Sequence, residues 1–169
     1  NTIGACAFEN CEKLKAIVLP DGLKTLGNKA FYGCTALAGE ITIPCDVGES
    51  SFAGCTSLKS VIIKEGVTTL AASAFSKCTA LESVSLPKTI NSLNPGAFSG
   101  CTSLKSLTIA EGGVYRISDG LICTETQIVS VMPYVSGEVT VPEGIMDIGD
   151  GAFSQNTTIT AVKLPSTLT

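Results

Sequence analysis

The sequence predicts an α/β repeat solenoid, mostly strand and loop with single helical or 3-10 turns, and three observations carry that prediction. First, all six phenylalanines fall in one register, at positions 8, 31, 52, 75, 98 and 153, with intervals of 23, 21, 23, 23 and 55 residues. Second, each opens a similar stretch: AFENCEKL at Ala7, AFYGCTAL at Ala30, SFAGCTSL at Ser51, AFSKCTAL at Ala74, AFSGCTSL at Ala97 and AFSQNTTI at Ala152. Third, aliphatic residues recur in phase behind each stretch. A period of this length marks units that cannot bury an apolar face alone and must stack.

Each unit divides into three parts. A short β-branched segment reads as a strand, as in Leu58-Lys59-Ser60-Val61-Ile62-Ile63. Its inward positions recur as Leu14, Ile17 and Leu19, as Leu81, Val84 and Leu86, and as Leu104, Leu107 and Ile109. A Pro or Gly turn follows, such as Pro20-Asp21-Gly22 or Lys64-Glu65-Gly66. An apolar pair then returns the chain, Leu23 and Leu26, Val67 and Leu70, or Ile90 and Leu93. A small-residue segment ending in Ala-Phe is expected to form a helical or 3-10 turn.

Two departures interrupt the frame. Between Leu37 and Ile41 one extra residue predicts a bulge at the start of a strand. After Pro44 the unit is three residues short, which explains the interval of 21. The larger departure follows Ile109. Val114 to Ile117, Ser118-Asp119-Gly120 and Leu121 to Cys123 read as a β-hairpin, and Gln127 to Tyr134 as a further strand. The frame resumes at Val139-Thr140-Val141-Pro142, so residues 114–137 form an insertion. The last strand carries Ile159, Val162 and Leu164. NTIGACAF at the start matches KTLGNKAF at Lys24, and LPSTLT stops inside a unit. Residues 1–169 therefore read as a single domain, a fragment of a longer array.

Composition narrows the function classes. Charged residues make up 15% and the formal net charge is −4, with a pI near 4.8. That leaves no electrostatic footprint for nucleic acid and no basic cluster for an anionic membrane. No apolar run approaches the ~18–20 residues of a membrane helix. Histidine is absent, which removes the commonest general base and metal ligand. Acidic residues such as Asp21, Glu65 and Glu143 stand singly at turns. No carboxylate pair, phosphate loop, metal set or cofactor motif emerges.

Phe8, Phe31, Phe52, Phe75, Phe98 and Phe153 are expected to stack as a structural ladder. Five of the eight cysteines, Cys11, Cys34, Cys55, Cys78 and Cys101, share one position, and Asn156 takes it in the last unit. They read as a second ladder, of small buried thiols giving weak S–H donors to turn carbonyls. Disulfides between rungs about 4.8 Å apart are the alternative. Cys6, Cys45 and Cys123 lie outside it and read as unpaired thiols, with no histidine to activate them. Asn156-Thr157-Thr158 is a glycosylation sequon on a slot that should be partly buried.

Candidate partner-binding residues fall into two groups. The outward face of the sheet should carry Lys15, Ala38, Lys59, Glu82, Lys105 and Thr160 in one column. The next holds Ala16, Gly39, Ser60, Ser83, Ser106 and Ala161, and a third Val18, Thr42, Ile62, Ser85, Thr108 and Lys163. Lys59, Glu82 and Lys105 read as cross-strand charge pairs on a solvated face or as part of a shallow binding surface. The second group lies in the insertion: Tyr115, Arg116 and Tyr134 are two of the three tyrosines and the sole arginine, side-chain types enriched at hot spots. They either bind a partner or pack the hairpin onto the scaffold.

The combined pattern, A-F-x-x-C-T-x-L-x-x-V-x-I-P-x-x-V-x-x-L, is carried by Ala74-Phe75, Cys78-Thr79, Leu81, Val84, Leu86-Pro87, Ile90 and Leu93 and their counterparts. It resembles the BspA-type leucine-rich repeat of bacterial and some protist surface proteins, as do Ser118-Asp119-Gly120-Leu121-Ile122, Met132-Pro133 and Val141-Pro142. The resemblance implies a right-handed, curved leucine-rich-repeat solenoid with a parallel β-sheet on its concave side. It implies a secreted or cell-surface, non-catalytic scaffold of adhesion type that binds a protein or a surface glycan. The alternative is a structural spacer with no ligand of its own.

Overall fold

A computed structural model describes residues 1–154 and 156–169. Its strands are, in chain order, β1 (Thr2–Ile3), β2 (Thr25–Leu26), β3 (Gly39–Ile43), β4 (Leu58–Ile63), β5 (Thr69–Leu70), β6 (Ser83–Leu86) and β7 (Ser92–Leu93). They continue as β8 (Ser106–Ile109), β9 (Arg116–Ser118), β10 (Leu121–Cys123), β11 (Gln127–Val131), β12 (Gly137–Thr140), β13 (Asp147–Ile148) and β14 (Ile159–Lys163). The molecule is a β-solenoid of about seven turns.

Two parallel ladders run along the stack. The main sheet has the order β3-β4-β6-β8, with Ser60, Ser83 and Ser106 in one register and Val61, Val84 and Leu107 in the next. A narrow ladder pairs β1 with β2 and β5 with β7, and single bridges of Val47 to Leu26 and Leu70 join the two pairs. Leu58, Val61, Leu81, Val84, Leu104 and Leu107 point into the space between the ladders and are buried. Each coil thus covers the apolar floor of the next.

The Ala-Phe segments are not helical. Among the described residues there is no α-helix, and the one 3-10 turn is Pro95–Phe98. The cause is local. In the first four units the residue two before Phe has positive φ (Cys6, Lys29, Ser50 and Ser73), and so does the residue two after it (Asn10, Gly33, Gly54 and Lys77). Left-handed residues on both sides stop helical propagation and leave separate i→i−3 bonds, such as Ala53 N–H to the Ser50 carbonyl at 3.1 Å and Cys55 N–H to the Phe52 carbonyl at 3.2 Å. In the fifth unit Pro95 occupies the first turn, and the Asn94 side chain accepts from the Gly96 N–H at 3.0 Å. The segment is then preset for the 3-10 turn.

Two expected strands differ. Residues 14–19 form no regular strand; the Lys15 carbonyl accepts from the Ala38 N–H on the next coil at 3.0 Å. The bulge predicted between Leu37 and Ile41 is present on the next coil. The register slips between Gly39 and Glu40, with Gly39 opposite Leu58 and Glu40 opposite Ser60. Gly39 takes φ 81° there, a conformation that favours glycine. Gly137-Glu138 repeats the slip against β14 with φ 75°. The frame therefore resumes at Gly137, two residues earlier than expected.

The insertion is a hairpin, as expected. β9 and β10 are antiparallel, with Ser118 opposite Leu121. Asp119 (φ 48°) and Gly120 (φ 78°) make the two-residue turn, both residues left-handed as a type I′ turn demands. β11 runs antiparallel to β10 and parallel to β13. The hairpin does not project from the scaffold. Leu121, Ile122, Cys123, Ile128 and Met132 are all buried, and the insertion completes the core between the regular coils and the last ones.

Candidate interaction surfaces

The phenylalanines at 8, 31, 52, 75 and 98 stack face to face, with centroids 4.9, 5.1, 5.4 and 5.8 Å apart. Phe8, at the open side of the first coil, is 37% exposed, whereas Phe31, Phe52 and Phe75 are fully buried. Phe153 packs instead on a second core group with Leu121, Val139 and Ile145, because the insertion separates it from Phe98.

Beside this stack run the thiols. Cys34, Cys55, Cys78 and Cys101 each donate S–H to the carbonyl of Phe8, Phe31, Phe52 or Phe75 on the preceding coil, at 3.1 to 3.2 Å. All four are buried and free, while Cys11, with no coil stacked outside it, is exposed. Burial pushes the Cys55 thiol up to about 12. A hydrogen bond with Cys101, then burial, pushes Cys78 up as well. All four are hydrogen-bonded fillers, and the raised Cys55 and Cys78 thiols stay protonated at neutral pH. Cys6 is exposed, whereas Cys45 and Cys123 are buried. Asn156 donates its amide to the Val135 carbonyl at 3.0 Å and accepts from the Thr158 and Ile159 N–H groups. Its sequon nitrogen is thus already engaged.

On the main sheet's outer face Glu40, not Gly39, lines up with Ser60, Ser83 and Ser106, because of the bulge. Thr42, Ile62, Ser85 and Thr108 form the neighbouring column as expected. Ser83 donates to the Ser60 hydroxyl at 2.9 Å, and Ser60 to the Glu40 carboxylate at 3.3 Å. Lys105 lies 3.9 Å from Glu82, and both are well exposed. Such a pair contributes little to stability. Lys59 is exposed on the same face.

The insertion candidates are not brought together. Tyr115 is half-buried; its hydroxyl donates to the Asn91 carbonyl and accepts from the Leu93 N–H, both at 3.2 Å. Those two backbone groups belong to the edge of β7, where a further coil would pair. One side chain thus stands in for the missing strand. Asp46 does the same at the shortened unit, where its carboxylate accepts the Thr68 and Thr69 N–H groups at 2.7 and 3.0 Å. Nothing in the repeat frame singles out Asp46; the missing three residues before Phe52 are the signal that a substitute is needed. Arg116 is exposed and lines a cleft of about 620 Å³ with Tyr115, Thr108 and Ile109. Tyr134, 43% exposed, lines a different groove of about 460 Å³ with Asp119 and Glu138. Among the described residues no three metal-ligating side chains cluster, and no helix is long and apolar enough to cross a membrane.

Comparison with known proteins places the chain. The BspA type leucine rich repeat region matches it in six copies, over residues 1–47, 39–132 and 136–169. A leucine-rich repeat protein from Eubacterium ventriosum has a similar structure, with TM-score 0.71 at 13% identity, over 94% of this chain and 50% of that one. A leucine rich cell surface protein from Faecalibacterium prausnitzii gives 0.64 at 22%, over 99% and 53%. The pneumococcal vaccine antigen PcpA gives 0.58 at 18%, over 99% and 56%. The chain spans about half the length of these structures. No curated protein matches it.

Proposed function

The chain belongs to the BspA-type leucine-rich repeat family, and we propose that it is a non-catalytic interaction scaffold, secreted or held on a cell surface, that binds a protein or surface glycan. Two of the similar structures are described as a cell surface protein and a vaccine antigen, which supports an exposed location. The carrying observation is the interruption of the repeat. Regular coils present a self-satisfied face of hydroxyls and weak ion pairs, whereas the insertion opens separate clefts at Arg116 and at Tyr134. Recognition residues concentrate where a rigid scaffold departs from regularity.

The self-satisfied Glu40-Ser60-Ser83 chain favours the second reading, a spacer. One experiment separates the two. The chain is tested against immobilised matrix proteins and mucin glycans, alongside Arg116→Ala/Tyr134→Ala and Lys59→Ala/Lys105→Ala. Excising residues 114–137 is unsuitable, since it removes buried Leu121, Ile122 and Ile128. The scaffold reading expects binding that falls at least tenfold in the first double variant. Binding to none of the surfaces supports the spacer, and loss confined to the second variant moves the site to the sheet face.

A further inference from the structure

The repeat break severs both ladders, and the molecule seals only one. On the narrow ladder the Tyr115 hydroxyl satisfies the Asn91 carbonyl and the Leu93 N–H. On the main sheet β8 is the terminal strand, and the next strands of that series, β12 and β14, form a separate pair. The Ser106 and Ala110 N–H groups point back to the carbonyls of Glu82 and Leu86 on the preceding coil. By the alternation of a strand, the N–H and C=O groups of Leu107 and Ile109 point the other way. Among the described residues they have no hydrogen-bond partner.

This open edge borders the 620 Å³ cleft. Thr108 and Ile109 form one wall, and Arg116 and Ile117 of β9 another. β9 is itself the terminal strand of its sheet. A bare edge is normally blunted by proline, by a bulge or by a covering loop. β8, with sequence SLTI, pairs with β6 in unbroken register and contains no proline.

We propose that the β8 edge is a docking site for an extended segment of a protein partner, which adds to the main sheet as a parallel strand. This rests on the scaffold reading and chooses a polypeptide over a glycan. Backbone groups in a row recognise another backbone, and strand addition takes its affinity from those bonds. Leu107 is buried and Ile109 half-buried, while Ser106 and Thr108 are exposed. The docked segment therefore alternates apolar residues facing the core with small polar residues facing out, as β6 does.

The test uses a synthetic peptide copying residues 58–64, LKSVIIK, and amide hydrogen exchange on the whole chain. The Leu107 and Ile109 amides should exchange rapidly in the free chain and slow at least tenfold with peptide. Ile109→Pro removes one outward donor without touching a bond to β6 and should weaken peptide binding at least tenfold. Lys24→Ala, exposed beside β2 at the far end of the stack, should leave peptide binding unchanged. Slow exchange at both amides before peptide is added overturns the proposal, as does binding that protects other residues or survives Ile109→Pro. Binding to matrix proteins or mucin that LKSVIIK does not compete also sinks the edge proposal, while leaving the scaffold reading intact.

Discussion

Which residue fills a single slot sets the cost of each turn. Two residues after phenylalanine the backbone is left-handed in each of the first five units, at Asn10, Gly33, Gly54, Lys77 and Gly100. Glycine fits without strain; Lys77, at φ 58°, does not. Lys77→Gly is therefore expected to stabilise the chain by about 0.5–1 kcal/mol, the relief of strain being partly offset by greater freedom of the unfolded chain. A rise in the urea midpoint with an unchanged slope would confirm it. No gain would mean that the lysine side chain contributes packing that compensates the strain. The period made this slot visible in the sequence, but its conformation was not, because Gly, Asn and Lys share no obvious property until φ is known.

At the scale of an element the stacked phenylalanine rings differ in how much of each is covered. Phe52 has a ring on both sides and no exposed surface, whereas Phe8 has one neighbour and is 37% exposed. Phe52→Ala is expected to cost about 3–5 kcal/mol, as for other fully buried aromatics. Phe8→Ala should cost less than half as much, and thermal melts of the two variants compare them directly. Equal costs would show that the open coil unfolds together with the centre.

The elements also show where sequence reasoning stops. Leu58, Val61 and Ile63 announced a strand because their burial obeys a period. The hairpin was legible from Asp119-Gly120, whose type demands that turn. The absence of a strand at residues 14–19 was not, since Leu14, Ile17 and Leu19 keep the frame of the regular strands. On its chemistry Tyr115 reads either as a binding residue or as hairpin packing, and its hydroxyl is engaged at the β7 edge. The three residues missing before Phe52 signal that a substitute for strand pairing is needed there, but nothing in the linear sequence says that Asp46 is the side chain that supplies it.

Across the whole molecule the buried thiols make stability depend on alkaline pH. Burial holds Cys55 protonated up to about 12, against an ordinary value of 9.0. Its folded pKa is raised, so its contribution is complete below pH 9 and is lost as pH climbs toward 12, because only the unfolded chain releases the proton in that window. The slope is up to about 1.4 kcal/mol per pH unit for each such thiol. Urea titrations at pH 8, 9.5 and 10.5 should show falling stability, with a shallower fall in Cys55→Ala. Identical slopes in the two chains would mean that the Cys55 thiol ionises freely in the fold.

The seam between β8 and β12 also has a mechanical consequence. Tension along the stack is carried from coil to coil by two zippers of backbone hydrogen bonds wherever both ladders are continuous. At this seam the main zipper is absent and the narrow one is a tyrosine hydroxyl. A rope yields at its thinnest strand. Under load the molecule parts there first, and a strand docked on β8 turns that joint from a free end into a splice.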